Sequence, residues 1–536
     1  MESSLPAELV TVVLQEIKAK RPLCLCSYPF NDLSLVERLA ASPAGSLSST
    51  HLACLHGVFY FILKEFTFFQ HPLTQKFDLK DLASKCEQRF DTLLETYSVF
   101  GVPSFGNILA LTLGTLKAQN QCKPLQACTL ISSAATHCQT LGYNHDSTHE
   151  NSSNSRRLFW SVYMLEKQFS FFFGRASVMQ DCDIDTAYPI YAPKSPGRPR
   201  DELFINEVKL AKIQGRIWKE AFSKESLALS HSEREKRIET LAMDLQFWYA
   251  RLAVVRPSTH SPSTYEPESL HLFNVVVEAW ETKYHSTFTA LLRAPAAAQT
   301  SNDEDRMSWL ERHITSTATS QSSGQMHIKP ECFKTARDAL QSYLKCMRTY
   351  QKVLDYRPVP PEAEAGVYSD WPLLSTLLTP FIAITLHSIA TPSTSRPNKK
   401  SPQDAKEKDL TLLNNIVSTL EPLKSTSPAT TRLYKLTSSL AKIAKGLNDR
   451  RSSISSQEDL LVFARGASGK RQSAAASIFS FQSGSETRSL YQQVMDTDIM
   501  GVLGEGEAEE VFRVLEGWMG GSLNGVEVYG GWEESF

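Results

Sequence analysis

Apolar residues return along this chain at steps of three and four. Ile238, Leu241, Leu245, Trp248, Leu252 and Val255 keep a 3-4-3-4-3 spacing over 18 residues. Side chains three and four apart share one face of a helix, whereas a strand needs alternation at every second residue, so this pattern suits only a helix. The same spacing recurs in Leu158, Val162, Leu165, Phe169 and Phe172, in Phe204, Val208, Ala211, Trp218 and Phe222, and in Phe273, Val277, Trp280, Tyr284 and Leu291. Alternating runs with hairpin turns are nearly absent. The expected fold class is all-α, a large multi-helix domain. The Ile238–Val255 stripe reads either as internal core or as a helical seam for docking a partner.

Breaks in the pattern set the expected organisation. One large helical domain covers 1–390, with Pro-, Ser- and Gly-rich loops at Pro189–Pro199, Pro257–Pro267 and Thr300–Gly324. A polar, proline-containing linker takes 391–408. Two further helices fall within 409–447, and 448–490 is a Ser-rich, mildly basic linker. The last segment, 491–536, holds ten acidic residues and one base, Arg513. It is expected to be disordered, because repelling carboxylates and scarce apolar surface do not build a core. Trp371–Ala390 runs twenty residues without a formal charge, but Pro372, Pro380 and its hydroxyls mark it as a broken core helix and not a membrane span. Met1–Glu8 has no basic start or apolar core, so the chain is read as soluble and intracellular, its ten cysteines as reduced thiols.

Charge narrows the function classes. Lys and Arg total 56 against 58 Asp and Glu. A surface that neutralises phosphates along its whole length needs clustered cations, so any contact with DNA is local. Catalytic constellations are missing too. No glycine-rich phosphate loop occurs. Asp181, Asp183 and Asp185 open like a calcium loop, but Thr186 and Ala192 stand where its glycine and terminal acid belong. His145 and His149 flank Asp146, Ser147 and Thr148 instead of the Glu of a zinc protease, and no serine sits in a nucleophile elbow. No Asp-rich metal motif lies on an apolar helix. The chain is not expected to be an enzyme.

One stretch carries more information. Arg156 and Arg157 precede an aromatic helix containing Phe159, Trp160, Tyr163, Glu166 and Lys167; it stops at Gly174-Arg175, and the acidic run Asp183-Ile184-Asp185 leads to Pro189. A charged residue between core positions needs compensation, so Glu166 is expected to pair with Arg156, Arg157 or Arg175 and to fix helix packing. This sequence resembles the regulatory middle-homology domain of fungal-specific transcription factors, whose pattern is a basic pair, Phe-Trp, Tyr, an acid with a basic neighbour, Gly-Arg-Pro and an Asp-Ile-Asp run. Glu166 replaces the usual Asp, and Ala176 the Pro. Further matches flank it. Ala134-Ala135, Cys138, Gln139, Leu141, Gly142 and Tyr143 look like the family's Leu-Gly-Tyr helix end, with Asn144-His145 where His-Arg is usual. Leu241–Trp248, Tyr284–Pro295 and Cys332–Arg337 are similar to its later segments. The resemblance covers about Leu5–Leu447.

The resemblance implies a nuclear transcriptional regulator, an activator acting on promoter DNA directly or through a partner transcription factor. It implies control of a metabolic gene set, commonly a secondary-metabolite cluster in filamentous fungi. A small-molecule effector and a dimer belong to the same expectation. The alternative is a co-regulator or sensor that binds no DNA. Family members usually carry six cysteines in two Cys-x-x-Cys-x6-Cys half-sites that hold two zinc ions. The ten cysteines here never give that spacing, so no cofactor is expected in this chain; either the member lacks the cluster or an upstream exon carries it. Two weaker features remain. Gly197-Arg198-Pro199-Arg200 resembles an AT-hook core, with Arg198 and Arg200 as minor-groove candidates. Phe512, Leu515 and Trp518 lie at helical spacing among glutamates, as in an activation segment that folds on the transcription machinery.

Overall fold

The computed structural model describes residues 5–19, 34–42, 46–95, 102–146, 153–189, 198–255, 267–297, 330–355, 371–390, 402–425 and 427–446, together with Val511 and Val514. Among the described residues there is no strand, and the all-α fold holds. The helices are α1 (Ala7–Ala19), α2 (Ser34–Ala41), α3 (Ser49–Phe68), α4 (Leu79–Glu95), α5 (Phe105–Asn120), α6 (Pro124–Thr140), α7 (Ser153–Phe172), α8 (Arg198–Ile217), α9 (Lys224–Leu227), α10 (His231–Val255), α11 (Pro267–Ala297), α12 (Pro330–Asp355), α13 (Trp371–Ser375), α14 (Leu378–Ala390), α15 (Pro402–Leu420) and α16 (428–446). A π-helical turn, Trp218–Phe222, ends α8.

The chain divides into two compact units. The first comprises Met1–Tyr284, Lys345–Ser375 and Ser425–Thr430; the second comprises His285–Leu344, Thr376–Lys424 and Thr431–Phe536. Within the first, successive helices pack on one another: α3 on α4 and α5, α5 on α6, α6 on α7, α7 on α8, α8 on α10. Gly114 of α5 permits close approach, since a Cβ there would lie 2.9 Å from a Leu94 methyl and 3.2 Å from one of Leu130. Lys117 of α5, 4% exposed, is neutralised by Asp91 at 2.9 Å and Glu87 at 3.1 Å, both on α4.

In the second unit α14 packs on α15. Arg337 of α12 donates to both carboxylate oxygens of Asp409 on α15, at 2.6 and 2.8 Å. His387 of α14 meets the same carboxylate at 3.0 Å. Burial alone would raise the Asp409 carboxyl; the hydrogen bonds from Arg337 and His387 outweigh it and hold the pKa below the usual value.

Several sequence expectations can be placed. Ile238, Leu241, Leu245, Trp248 and Leu252 are all buried, so the α10 stripe is internal core. The stripe on α7 understates its helix: Arg157, Ser161, Glu166, Lys167, Gln168 and Ser170 are buried along with the apolar residues, so α7 is enclosed on every side. Trp371–Ala390 breaks at Thr376–Leu377, as expected, and among the described residues no helix is long and apolar enough to cross a membrane. The expected linker 391–408 is corrected at its C-terminal half, because helix begins at Pro402, where proline's fixed φ and missing N–H suit the first turn. The 491–536 segment lies outside the described residues except Val511 and Val514, which are helical and 1% exposed.

Candidate functional site

Residues 141–146 and 173–189 build a clasp around α7. Two glycines set its corners. Gly142 ends α6 at φ 69° and Gly174 follows α7 at φ 61°, left-handed conformations that glycine adopts without a Cβ clash. Both close as Schellman motifs: Tyr143 N donates to Cys138 O at 3.0 Å, and Arg175 N to Ser170 O at 2.9 Å. The chain leaving Gly174 is thereby turned back along α7, and its acidic run passes the turn that follows α6.

Glu166 sits at the centre of α7 with no exposed surface. The expected arginine pair is corrected. Its carboxylate accepts from Ser170 Oγ at 2.7 Å, from Val178 N at 3.0 Å and from Ser177 Oγ. Hydroxyls and a backbone N–H from the returning loop reach it because Gly174 folds that loop onto the helix. The arginines go elsewhere. Arg156 donates to Asp146 at 3.1 Å. Arg157, 1% exposed, lies with its guanidinium carbon 4.4 Å from the Phe204 ring centroid of α8. Arg175 donates to Ser132 of α6 at 3.0 Å.

Lys167 carries the charge compensation in this clasp. Its Nζ donates to Met179 O at 2.7 Å, lies 3.1 Å from Asp181 Oδ1 and 5.2 Å from the Tyr163 ring centroid. Tyr163 donates to the same Asp181 oxygen at 2.7 Å. Burial, together with that carboxylate, pushes the Tyr163 phenol well above its usual pKa, so it remains a hydroxyl donor. Gly215 of α8 makes room for the lysine stem, since a Cβ there would stand 2.9 Å from Lys167 Cδ. Trp160 anchors the far end, donating to Ala187 O at 2.9 Å and stacking on Tyr188 with centroids 4.5 Å apart. Phe159 meets Trp160 edge-on at 5.2 Å.

The two aspartates of the family-like run close the loop. Asn144, 3% exposed, donates to Asp183 Oδ2 at 3.0 Å and to Asp183 O at 2.8 Å. Asp185 accepts from Asp146 N at 2.8 Å, and its own N donates to Asn144 O at 3.1 Å. His145 lies 3.5 Å from Asp185 and 3.8 Å from Asp183. Asp181 thus holds Tyr163 and Lys167, while Asp183 and Asp185 share Asn144 and His145. Among the described residues no group of three or more His, Cys, Asp or Glu is arranged to hold a metal ion. Arg156, Arg157, Phe159, Trp160, Tyr163, Glu166, Gly174, Arg175, Asp183 and Asp185 thus belong to one constellation. Most of its polar atoms bond one another, while Asn144 Oδ1, Arg156 Nε and Arg175 Nε are buried with no hydrogen-bond partner among the described residues; the contacts tie α6, α7 and the loop after Gly174 into an architectural lock.

Ser177 and Gly215 complete the lock beyond the residues the sequence singled out, and Lys167, Asp181 and Asn144, noted in the sequence without a role in it, make its charged and amide contacts. The usable signals were the basic neighbour of Glu166 and the Asn144-His145 departure. The other candidates lie outside the described side chains. Arg198 and Arg200 open the first turn of α8, with side chains outside the described residues; Phe512, Leu515 and Trp518 lie outside them entirely, as do Cys24, Cys26 and His149.

Comparison with known proteins agrees with this architecture. Residues 67–250, which include the clasp, match the family described as the fungal specific transcription factor domain. An uncharacterized transcriptional regulatory protein of Schizosaccharomyces pombe is 26% identical over 228 residues, 39% of this chain and 38% of that protein. A second protein of that description and organism is 30% identical over 166 residues, 28% of this chain and 25% of its own. An ABC-transporter-regulating transcription factor of Aspergillus fumigatus is 26% identical over 126 residues, 22% of this chain and 14% of its own. This chain thus spans well under half the length of the curated relatives it matches. No solved structure matches it. Residues 67–250 are thus similar to the fungal specific transcription factor domain, and the relatives that match are described as transcriptional regulators.

Proposed function

We propose that this chain regulates transcription in the nucleus of a fungus and has no catalytic activity of its own. The observation that carries the reading is the clasp: the family-like residues form a closed lock inside the matched domain, so they serve to build a regulatory scaffold. The finer reading is control of a metabolic gene set, such as a secondary-metabolite cluster, through promoter DNA bound directly or through a partner transcription factor. Control of ABC-transporter genes is the neighbouring case, supported by relatives described as ABC-transporter-regulating transcription factors. The acidic segment 491–536 serves as the contact to the transcription machinery in this reading, and a small-molecule effector and a dimer remain part of it. Deletion of the gene followed by transcript sequencing tests the proposal. A coherent gene set changes if it is right; an unchanged transcriptome, with loss of an enzymatic product instead, would overturn it.

A balanced charge of −2 and short, scattered basic segments favour recruitment through a partner over strong direct binding. Titrating the purified 536-residue protein against duplex DNA at rising salt distinguishes the two routes. Weak binding that collapses with salt is expected; nanomolar, sequence-specific binding at physiological salt would contradict recruitment.

A further inference from the structure

The core stripe of α10 leaves an outer face that no described residue of the first unit covers. Met243 is 51% exposed and Phe247 is 71% exposed, one turn apart on that face. Isolated exposed apolar residues are ordinary, but an aromatic and a methionine stacked at i and i+4 form a continuous strip. Lys236 and Thr240 extend the strip one way, and Arg251, four residues after Phe247, extends it the other.

What borders the strip is unusual. α8 and α10 run antiparallel, and Arg216 of α8 pairs with Asp244 of α10. One heptad further along both helices the opposed residues are Lys209 and Arg251. Repetition of the seam would place an acid at one of these positions. Both are cations, and among the described residues neither has an acidic partner. Burial and the facing Arg251 charge lower the Lys209 pKa, so the two cations act on each other through space. Lys212, exposed on the next turn of α8, adds a third positive charge. Like charges held together disfavour the free protein, and an anionic group that settles between them relieves that repulsion.

We propose that the outer face of α10, with Met243 and Phe247 as apolar anchors and Lys209, Lys212 and Arg251 as the charged border, receives an acidic amphipathic helix of a partner protein. The strip matches the i, i+4 spacing at which such a helix lays its apolar side into a groove. The cation border selects the sign of the partner's flank. The core stripe beneath stays untouched, so occupation needs no unfolding of α10.

The test uses the full 536-residue chain and two designed 18-residue fluorescent helices with one shared Leu/Trp face, one carrying glutamates on its polar flank and the other lysines. Fluorescence anisotropy is expected to show the acidic helix binding at least tenfold more tightly than the basic one. Phe247→Ala should weaken the acidic helix at least tenfold, and Lys209→Glu combined with Arg251→Glu should reverse the preference, with the thermal midpoint of Phe247→Ala unchanged. Equal binding of both helices, no binding, or insensitivity to Phe247→Ala would overturn the proposal. Displacement of the acidic helix by a 20-base-pair duplex would assign the face to nucleic acid and overturn it equally.

Discussion

Glu166 shows how a buried carboxylate can be held with no cation in contact among the described residues. Three donors from Ser170, Ser177 and Val178 converge on it, while the nearest lysine in sequence, Lys167, points to Asp181. Removing the acceptor leaves those donors buried and unmet. Glu166→Ala is therefore expected to cost about 3 kcal/mol, and Glu166→Gln about half of that, because the amide keeps the shape and one acceptor oxygen. Urea denaturation of both variants checks the order; equal losses would show that volume and not hydrogen bonding matters there. A second residue-scale expectation concerns His56, 7% exposed, whose pKa burial and the Arg89 charge lower to about 4. Its unfolded value is about 6.5, so the unfolded chain takes up the proton first as pH falls. The contribution of neutral His56 is complete above about pH 6.5, declines between there and about 4, and is constant below. Wild type should lose about 2–3 kcal/mol more than His56→Leu across that window, measured as the difference between their urea midpoints at pH 7.5 and 4.5. Parallel curves would remove the assignment.

At the scale of helices, α10 separates core from surface within two adjacent residues. Trp248 is 5% exposed, donates to Asn206 O of α8 at 2.7 Å and stacks on Tyr284 of α11 with centroids 6.3 Å apart. Trp248→Ala should cost about 3–5 kcal/mol, and Phe247→Ala should stay within about 0.5 kcal/mol of wild type. Comparable losses would mean that the helix is rotated from the position described. The Arg337–Asp409–His387 network makes the parallel case for α12, α14 and α15. Because the Asp409 pKa is lowered by folding, its contribution is present above about pH 3.9 and is lost as pH falls through its folded value. Asp409→Asn should therefore lose stability at neutral pH, by about 3 kcal/mol since it strands Arg337, and lose less of what remains on acidification. Helix identity was legible in the 3.6-residue periodicity, and so was the inward face of α10. The enclosure of α7 was not: Glu166 stood between core positions, but the burial of Lys167 and Gln168 follows only from the loop after Gly174 and from α8. Charge partners were equally hidden. Lys167–Asp181 spans fourteen residues and depends on a left-handed glycine, and Arg157 finds an aromatic ring on α8, so neither follows from proximity in sequence.

For the whole molecule, the cysteines bear on metal content. Cys54, Cys86, Cys122, Cys138, Cys332 and Cys346 are buried as free thiols, and burial raises Cys54, Cys86 and Cys332 to about 12, which disfavours the thiolate a zinc ion requires. We propose that the 536-residue chain holds no stoichiometric zinc; metal analysis of protein purified without chelator should find less than 0.1 equivalent, and two equivalents would reveal a six-thiolate module. The central proposal, that this chain acts on transcription, is tested most directly by chromatin immunoprecipitation of the tagged protein expressed from its own locus. The account predicts enrichment at promoters of genes whose transcripts change on deletion, at a level that Glu166→Ala lowers in proportion to the folded protein lost. A tagged protein that is abundant and folded yet enriched at no promoter would contradict it.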